Sequence, residues 1–256
     1  MTVWSVAQYV KFENERSRPA AELLARVPLE RPRRVVDIGC GPGTSTELLA
    51  ARFPAAEVIG LDNSLEMLAA ARKRLPAQIF YEADISRWAP DRPVDLLFSN
   101  AVFHWVPNHQ AIVSRLLASL APGGVLAVQV PDNLSEPSEV LLGDVATTGP
   151  WRAKFVKPIE REVISTPAAY YNLLKPVAEQ VDIWSTIYNH PLTGIAALLE
   201  WVRGTSFRPY LARLDPNEQR AYLADYEERL AKAYPPLVDG RVLLSFPRLF
   251  IVAVRA

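Results

Sequence analysis

Short aliphatic runs alternate with stretches of helical period along the first half of the chain, and this alternation is the signature of a parallel sheet with crossover helices. The pattern predicts strands over residues 34–38, 57–61, 79–82, 95–99 and 125–130. Helices are predicted over 19–27 ahead of the first strand, then over 44–53, 65–75 and 109–120. Asn63-Ser64 is a good cap for the third of these, whose buried stripe begins with Met67, Leu68 and Ala71. Pro122-Gly123-Gly124 ends the last helix and turns the chain into the fifth strand.

Beyond Pro131 the rhythm changes. Pro137, Gly149-Pro150 and Pro158 interrupt shorter helical stretches with no strand between them. Alternation returns with a helix over 170–179 and a strand over 181–188; residues 194–234 are again helical, broken at Pro209 and restarted at Asp215-Pro216. Residues 241–255 read as a hairpin or a strand bent at Pro247. The expected architecture is one α/β domain over 1–256, carrying helical cap insertions near 132–166 and 192–236. Tyr170, Tyr171, Trp201, Tyr222 and Tyr226 read as packing within the cap.

Composition narrows the ligand. With 28 basic and 28 acidic side chains in 256 residues, and no basic stripe, nothing favours nucleic acid. No apolar run approaches the roughly 20 residues that cross a bilayer, and the N-terminus lacks a secretory pattern, so the expected location is the cytoplasm without membrane contact. Cys40 is the sole cysteine, and His104, His109 and His190 have no helical ligand spacing, so no metal is expected. Nothing calls for an obligate protein partner. Arginine outnumbers lysine 22 to 6, which is either a genomic bias or a set of carboxylate-binding forks.

The chemistry concentrates where the first strand runs into its helix, at Val35-Val36-Asp37-Ile38-Gly39-Cys40-Gly41-Pro42-Gly43-Thr44. The glycines do not follow the dinucleotide spacing, and Pro42 removes a backbone donor that a pyrophosphate cradle would use. A cofactor without phosphates suits this turn better. Asp62, about 20 residues beyond the turn and at the end of the second strand, is placed to accept hydrogen bonds from both hydroxyls of a ribose. Asp84 and Ile85 follow the third strand and can meet an adenine edge with a carboxylate and an N–H. Together these strand ends outline a cleft for an adenosine.

In these motifs the chain resembles the S-adenosylmethionine-dependent methyltransferases. The acid-x-Gly-x-Gly-x-Gly pattern falls on Asp37, Gly39, Gly41 and Gly43, and Leu120-Ala121-Pro122-Gly123-Gly124-Val125-Leu126 matches the turn before that family's fifth strand. The resemblance implies a seven-stranded Rossmann-like sheet, mostly parallel with the last strand antiparallel. It also implies S-adenosyl-L-methionine as cofactor and S-adenosyl-L-homocysteine as product. The cofactor positions are then Tyr9, Asp37, Gly39, Cys40, Gly41, Gly43, Asp62, Asn63, Met67, Asp84, Ile85 and Asn100. After the fourth strand the chain reads Ser99-Asn100-Ala101-Val102-Phe103-His104-Trp105, without the Asp/Asn-Pro-Pro-aromatic motif of base and amide methylators or the acidic ligands of magnesium-dependent catechol methylators.

Outside the cofactor motifs the chain resembles a narrower family, the bacterial trans-aconitate 2-methyltransferases. The resemblance is carried by Tyr9 with Phe12, Glu15-Arg16-Ser17-Arg18-Pro19, Val128-Gln129-Val130-Pro131-Asp132-Asn133, Val181-Asp182-Ile183-Trp184 and Phe246-Pro247-Arg248-Leu249-Phe250-Ile251-Val252-Ala253. It implies monomethylation of a tricarboxylate. A carboxylate is already an anion at neutral pH, so the lack of an acid–base constellation is expected. Arg16, Arg18, Arg208 and Arg248 are candidates for the acid, against solvated or surface-paired charges. Gln129, Tyr188 and His190 are candidates for its remaining oxygens, against ordinary structural hydrogen bonds. His104 and Trp105 are positioning candidates near the methyl, with core packing as the other reading of Trp105. Two alternatives stay open: another small acid or a phenol, for which His104 or His190 would have to act as base, and a protein that binds the cofactor without turnover.

Overall fold

The computed structural model describes residues 13–159, 163–204 and 206–256. The chain forms two compact units. The first comprises Met1–Pro131, Glu162–Thr186 and Leu249–Ala256; the second comprises Asp132–Arg161 and Ile187–Arg248.

In the first unit α1 (Glu13–Ala25) is followed by β1 (Arg34–Ile38), α2 (Thr44–Arg52), β2 (Glu57–Asp62), α3 (Leu65–Arg74), β3 (Ile79–Glu82) and β4 (Leu96–Asn100). Next come α4 (His109–Ala118) and β5 (Val125–Pro131). After α5 (Pro137–Thr148) of the second unit, α6 (Pro167–Leu174) leads into β6 (Ala178–Leu192). Then come α7 (Gly194–Arg203), the single turn α8 (Arg208–Leu211), α9 (Pro216–Ala233) and β7 (Val242–Arg255).

Seven strands form one sheet in the order β3-β2-β1-β4-β5-β7-β6. β1 pairs in parallel with β2 and β4, β2 with β3, and β4 with β5. β7 runs the other way: Gly123 N–H bonds to Arg255 O and Asp132 N–H to Pro247 O, so the two chains of numbers run in opposite directions. The expected mixed sheet is therefore present. β1, β2, β4 and β5 are buried on both faces, which is why they read as near-continuous apolar runs, whereas the edge strand β3 buries only Phe80. Val36, Ile38, Leu97, Leu126 and Val128 pack with Leu116 and Leu117 of α4, Tyr170 and Leu174 of α6, and Ile251 of β7.

Three expectations shift. The N-terminal helix begins at Glu13 rather than at residue 19, and Pro19 lies inside it. Residues 13–18 are polar, so no apolar stripe announces the first turns, and Pro19 removes one rung of hydrogen bonding without ending the helix. The region around Pro247 is one continuous strand rather than a hairpin. Tyr171 is 45% exposed, so it is not packing, whereas Tyr170 is buried in the first unit with its hydroxyl 2.6 Å from His109 Nε2.

The second unit is built on aromatic rings. Tyr222 and Tyr226 of α9 are fully buried and donate hydrogen bonds to the carbonyls of Leu142 (2.7 Å) and Ser138 (2.8 Å) of α5. Asp215 caps α9 through a reciprocal capping box with Glu218.

Candidate active site

The strand order reverses between β1 and β4, and in an open α/β sheet that crevice, beyond the carboxyl ends of the strands, is where ligands bind. Here it is floored by the glycine turn. Gly39, Gly41 and Gly43 all hold positive φ, at 66°, 54° and 90°. A Cβ on Gly39 would fall 2.3 Å from Val102 Cγ2, because the segment after β4 packs directly on the turn. On Gly41 it would meet nothing within 4 Å: this glycine serves the backbone and faces open space. That is the geometry of a cradle for a molecule resting against the main chain.

Asp37 lies beneath the turn, with no exposed surface. Its Oδ2 accepts hydrogen bonds from the hydroxyls of Ser45 and Thr46, both at 2.7 Å, which ties the end of β1 to the first turn of α2. Burial pushes its carboxyl up to about 7, against the lowering effect of those hydroxyls, and the Asp62 carboxylate adds to the rise. Among the cofactor candidates Asp37 thus braces the turn from below. Burial likewise pushes up the thiol of Cys40, leaving it a neutral small side chain.

Asp62 flanks the turn. Its Oδ2 accepts from Gly41 N–H at 2.9 Å and its Oδ1 from Ser64 N–H at 2.8 Å. Burial raises its pKa, and these N–H donors pull it back. Each oxygen keeps lone-pair capacity for a hydroxyl. Asn63 is exposed beside it, and Met67 is 3% exposed in the first turn of α3, where Ser64 accepts from its N–H at 3.4 Å.

Asp84 is exposed after β3, and its Oδ1 accepts from the N–H (2.9 Å) and hydroxyl (2.7 Å) of Ser86, which hold its pKa below the ordinary value. Ile85 is partly buried against the core. Arg115 of α4 fixes this loop by donating to the carbonyls of Trp88 (2.6 Å), Ile85 (3.2 Å) and Ser86 (3.4 Å). Sequence reasoning missed Arg115, Ser45 and Thr46, since nothing local links them to their partners.

The crevice is lined by Glu13, Arg16, Ser17 and Ala20 of α1, by Gly39, Cys40, Thr44 and Ser45 of the turn, and by Asn100 at the end of β4. Asn100 Oδ1 is a buried acceptor without a hydrogen-bond partner among the described residues. Arg16 therefore comes to the turn, whereas Arg18 does not: its side chain is 63% exposed and pairs with Glu22 at 3.1 Å. Gln129 is buried and stands in register with Asn100 on the neighbouring strand. His104 and Trp105 form the helical turn after β4 with ring centroids 4.7 Å apart, and Trp105 is 45% exposed, which removes the core-packing reading. Tyr9 and Phe12 lie outside the described residues.

In the second unit Tyr188, His190 and Arg248 come together. The rings of Tyr188 and His190, two apart on β6, stack at 6.1 Å, and the Arg248 guanidinium lies 4.7 Å over Phe246 and 5.9 Å from the Tyr188 ring. All three side chains are at most 5% exposed. Arg208 is exposed at the start of α8. Among the described residues no group of three His, Cys, Asp or Glu side chains gathers to hold a metal ion, and no helix is long and apolar enough to cross a membrane.

Residues 35–124 match the model of a methyltransferase domain. The chain is 56% identical over 253 residues to trans-aconitate 2-methyltransferase of Rhizobium leguminosarum bv. trifolii, covering 98% of this chain and 99% of that relative. It is 54% identical over 256 residues to the enzyme of the same name from Rhodopseudomonas palustris, with both chains covered in full. Among solved structures it resembles the YcgJ protein from Bacillus subtilis, with a TM-score of 0.60 at 13% identity over 93% of this chain and 98% of that one. It also resembles a phosphoethanolamine N-methyltransferase 2 of Haemonchus contortus solved with S-adenosyl-L-methionine, with a TM-score of 0.53 at 20% identity over 93% and 52% of the chains. The structural likenesses show the fold, and the end-to-end identity goes further: the chain belongs to the trans-aconitate 2-methyltransferase family.

Proposed function

We propose that this protein binds S-adenosyl-L-methionine over the glycine turn and methylates one carboxylate of trans-aconitate, giving the monomethyl ester and S-adenosyl-L-homocysteine. The observation that carries the reading is the cradle itself: positive φ at Gly39, Gly41 and Gly43, open space over Gly41, and the buried acceptor Asn100 Oδ1 beside it. A pyrophosphate would find no donor at Pro42, and a cofactor with an ammonium group has in Asn100 an oxygen to donate to. The cofactor's sulfonium, when bound, supplies an electrophilic methyl group.

The roles proposed for the chain's own residues follow from their placement. Asp62 receives the ribose hydroxyls, and Asp84 with the Ile85 N–H receives the adenine. Gly39, Cys40 and Gly41 carry the methionine portion, with Asp37 and Gly43 shaping the turn and Asn63 and Met67 its flank. Arg16 and Gln129 are the groups of the first unit proposed for the acid. Arginine suits the task because its planar fork matches a carboxylate in two hydrogen bonds and stays charged when buried. A carboxylate acceptor is deprotonated at neutral pH, so the reading requires neither a general base nor a metal to make the nucleophile. Placing His104 and Trp105 after β4 allows them to exclude water there, and rate is gained by holding acceptor and methyl close in a dry site.

The test is the initial rate of S-adenosyl-L-homocysteine formation with trans-aconitate, cis-aconitate, citrate, isocitrate and a catechol at saturating cofactor. A strong preference for trans-aconitate is expected. Turnover of the catechol alone, or of none of them, would overturn the acceptor and the arginine assignments with it.

A further inference from the structure

We infer that Arg74 is a positioning residue for cofactor binding, the clasp that holds the polar N-terminal half of α1 over the glycine turn. This rests on the proposal that the turn binds the cofactor.

α1 has two halves of different character. Its C-terminal half is apolar and buried: Ala20, Leu23 and Leu24 are 1%, 0% and 5% exposed. Arg52, in the last turn of α2, fastens that end by donating to the carbonyls of Leu24 and, at 3.0 Å, Val27. The N-terminal half is what lines the crevice, with Glu13, Arg16 and Ser17, and it has no comparable apolar face. It is held by a polar knot instead. Arg74, in the last turn of α3, pairs with Glu13 and, through Nε at 2.9 Å, with Glu47 of α2. Thr44, the residue that follows Gly43, completes it: its hydroxyl donates to Glu13 Oε1 at 3.4 Å and accepts from Arg74 Nη1 at 3.4 Å.

One guanidinium therefore joins the start of α1, the start of α2 and the end of α3, the helices on either side of the turn. Arg74 and Glu13 are each only about a quarter to a third exposed, so their pairing is screened less than an open surface pair. Helix packing does not depend on it, since the buried half of α1 remains in place without it. What depends on it is where Glu13, Arg16 and Ser17 stand relative to the turn.

The experiment is calorimetric titration of the full-length chain with S-adenosyl-L-homocysteine, repeated across sodium chloride concentrations, for the wild type, Arg74→Met, Glu13→Gln and the double variant. That ligand has no net charge, so salt acts on its affinity chiefly through the protein's own pairs. Each single variant is expected to bind about threefold to tenfold more weakly, the double variant no more weakly than the worse single, and the wild type alone to lose affinity with salt. Melting temperatures should stay near wild type, whereas Arg52→Ala, which frees the buried end of α1, should lower the melting temperature. Wild-type affinity and salt dependence in Arg74→Met, or additive losses in the double variant, would overturn the inference. No binding by the wild type would instead sink the cofactor reading beneath it.

Discussion

Replacing Asp62 by alanine separates two jobs that one carboxylate performs. In the folded chain it accepts from the N–H groups of Gly41 and Ser64, at 2.9 and 2.8 Å. A hydrogen bond contributes about 0.5–1.5 kcal/mol net, and Asp62 is only partly buried, so two such bonds together contribute about 1–3 kcal/mol. Part of the stability loss is offset, because removing Asp62 also removes a negative charge that disfavours ionisation of buried Asp37. We therefore expect a net loss near the lower end, about 1.5 kcal/mol, which for a chain of this size lowers the melting temperature by roughly 3–6 °C. If the same oxygens also receive two ribose hydroxyls, binding of S-adenosyl-L-homocysteine should weaken by about 1.5–3 kcal/mol, or roughly tenfold to 150-fold in Kd. Calorimetry on wild type, Asp62→Ala and Asp62→Asn measures both numbers, and asparagine should fall between, since it keeps one acceptor oxygen. A lowered melting temperature with Kd within twofold of wild type would refute the ribose assignment and leave Asp62 a brace for the turn.

Three further outcomes follow from the same geometry. Between about pH 4 and about pH 7 the folded chain keeps a proton on Asp37 that the unfolded chain sheds near 3.8, so this group's contribution to stability falls as pH rises through that window and is flat above it. Melting curves at pH 5.5 and 8 should show Asp37→Asn gaining on the wild type at the higher pH, and parallel curves would contradict the buried, raised carboxyl. Gly39→Ala places a Cβ 2.3 Å from Val102 at a φ of 66°, and should cost about 2–4 kcal/mol in denaturant unfolding, partly recovered by adding Val102→Ala. Arg115→Ala releases the carbonyls of Ile85, Ser86 and Trp88, and should speed amide exchange in that loop and weaken S-adenosyl-L-homocysteine binding severalfold; an unchanged exchange rate would show that the loop holds itself.

The turn from Asp37 to Gly43, Asp62 and the pair Asp84-Ile85 were legible in the sequence because each is a local event at a strand end, where spacing alone fixes the neighbourhood. The start of α1 was not, since residues 13–18 carry no apolar period and Pro19 looks like a boundary. Arg16 and Arg18 read alike in sequence, yet two residues on a helix point to different sides, and only Arg16 lines the crevice. Arg74 and Glu13 are 61 residues apart, and Arg115 and Ile85 are 30 apart, so their pairing exists only once the helices are packed. Trp105 read equally well as core or wall, and its exposure, at the end of a short turn after β4, decided against the core.

The place of β7 in the sheet has a consequence for biosynthesis. It lies between β5 and β6, though it is the last strand of the chain, and its stretch Leu249–Ala256 belongs to the first unit. While the chain is emerging from the ribosome, β5 presents an open edge and β6 has no neighbour to pair with until β7 itself has been made. The crevice strands β3-β2-β1-β4-β5 can assemble early from near-neighbour pairings, but the sheet closes only by a contact of very long sequence separation, a slow step during which an unpaired edge is exposed to other chains. Substitutions or deletions that disturb residues 249–256 should therefore reduce soluble yield far more than their distance in sequence from the glycine turn suggests.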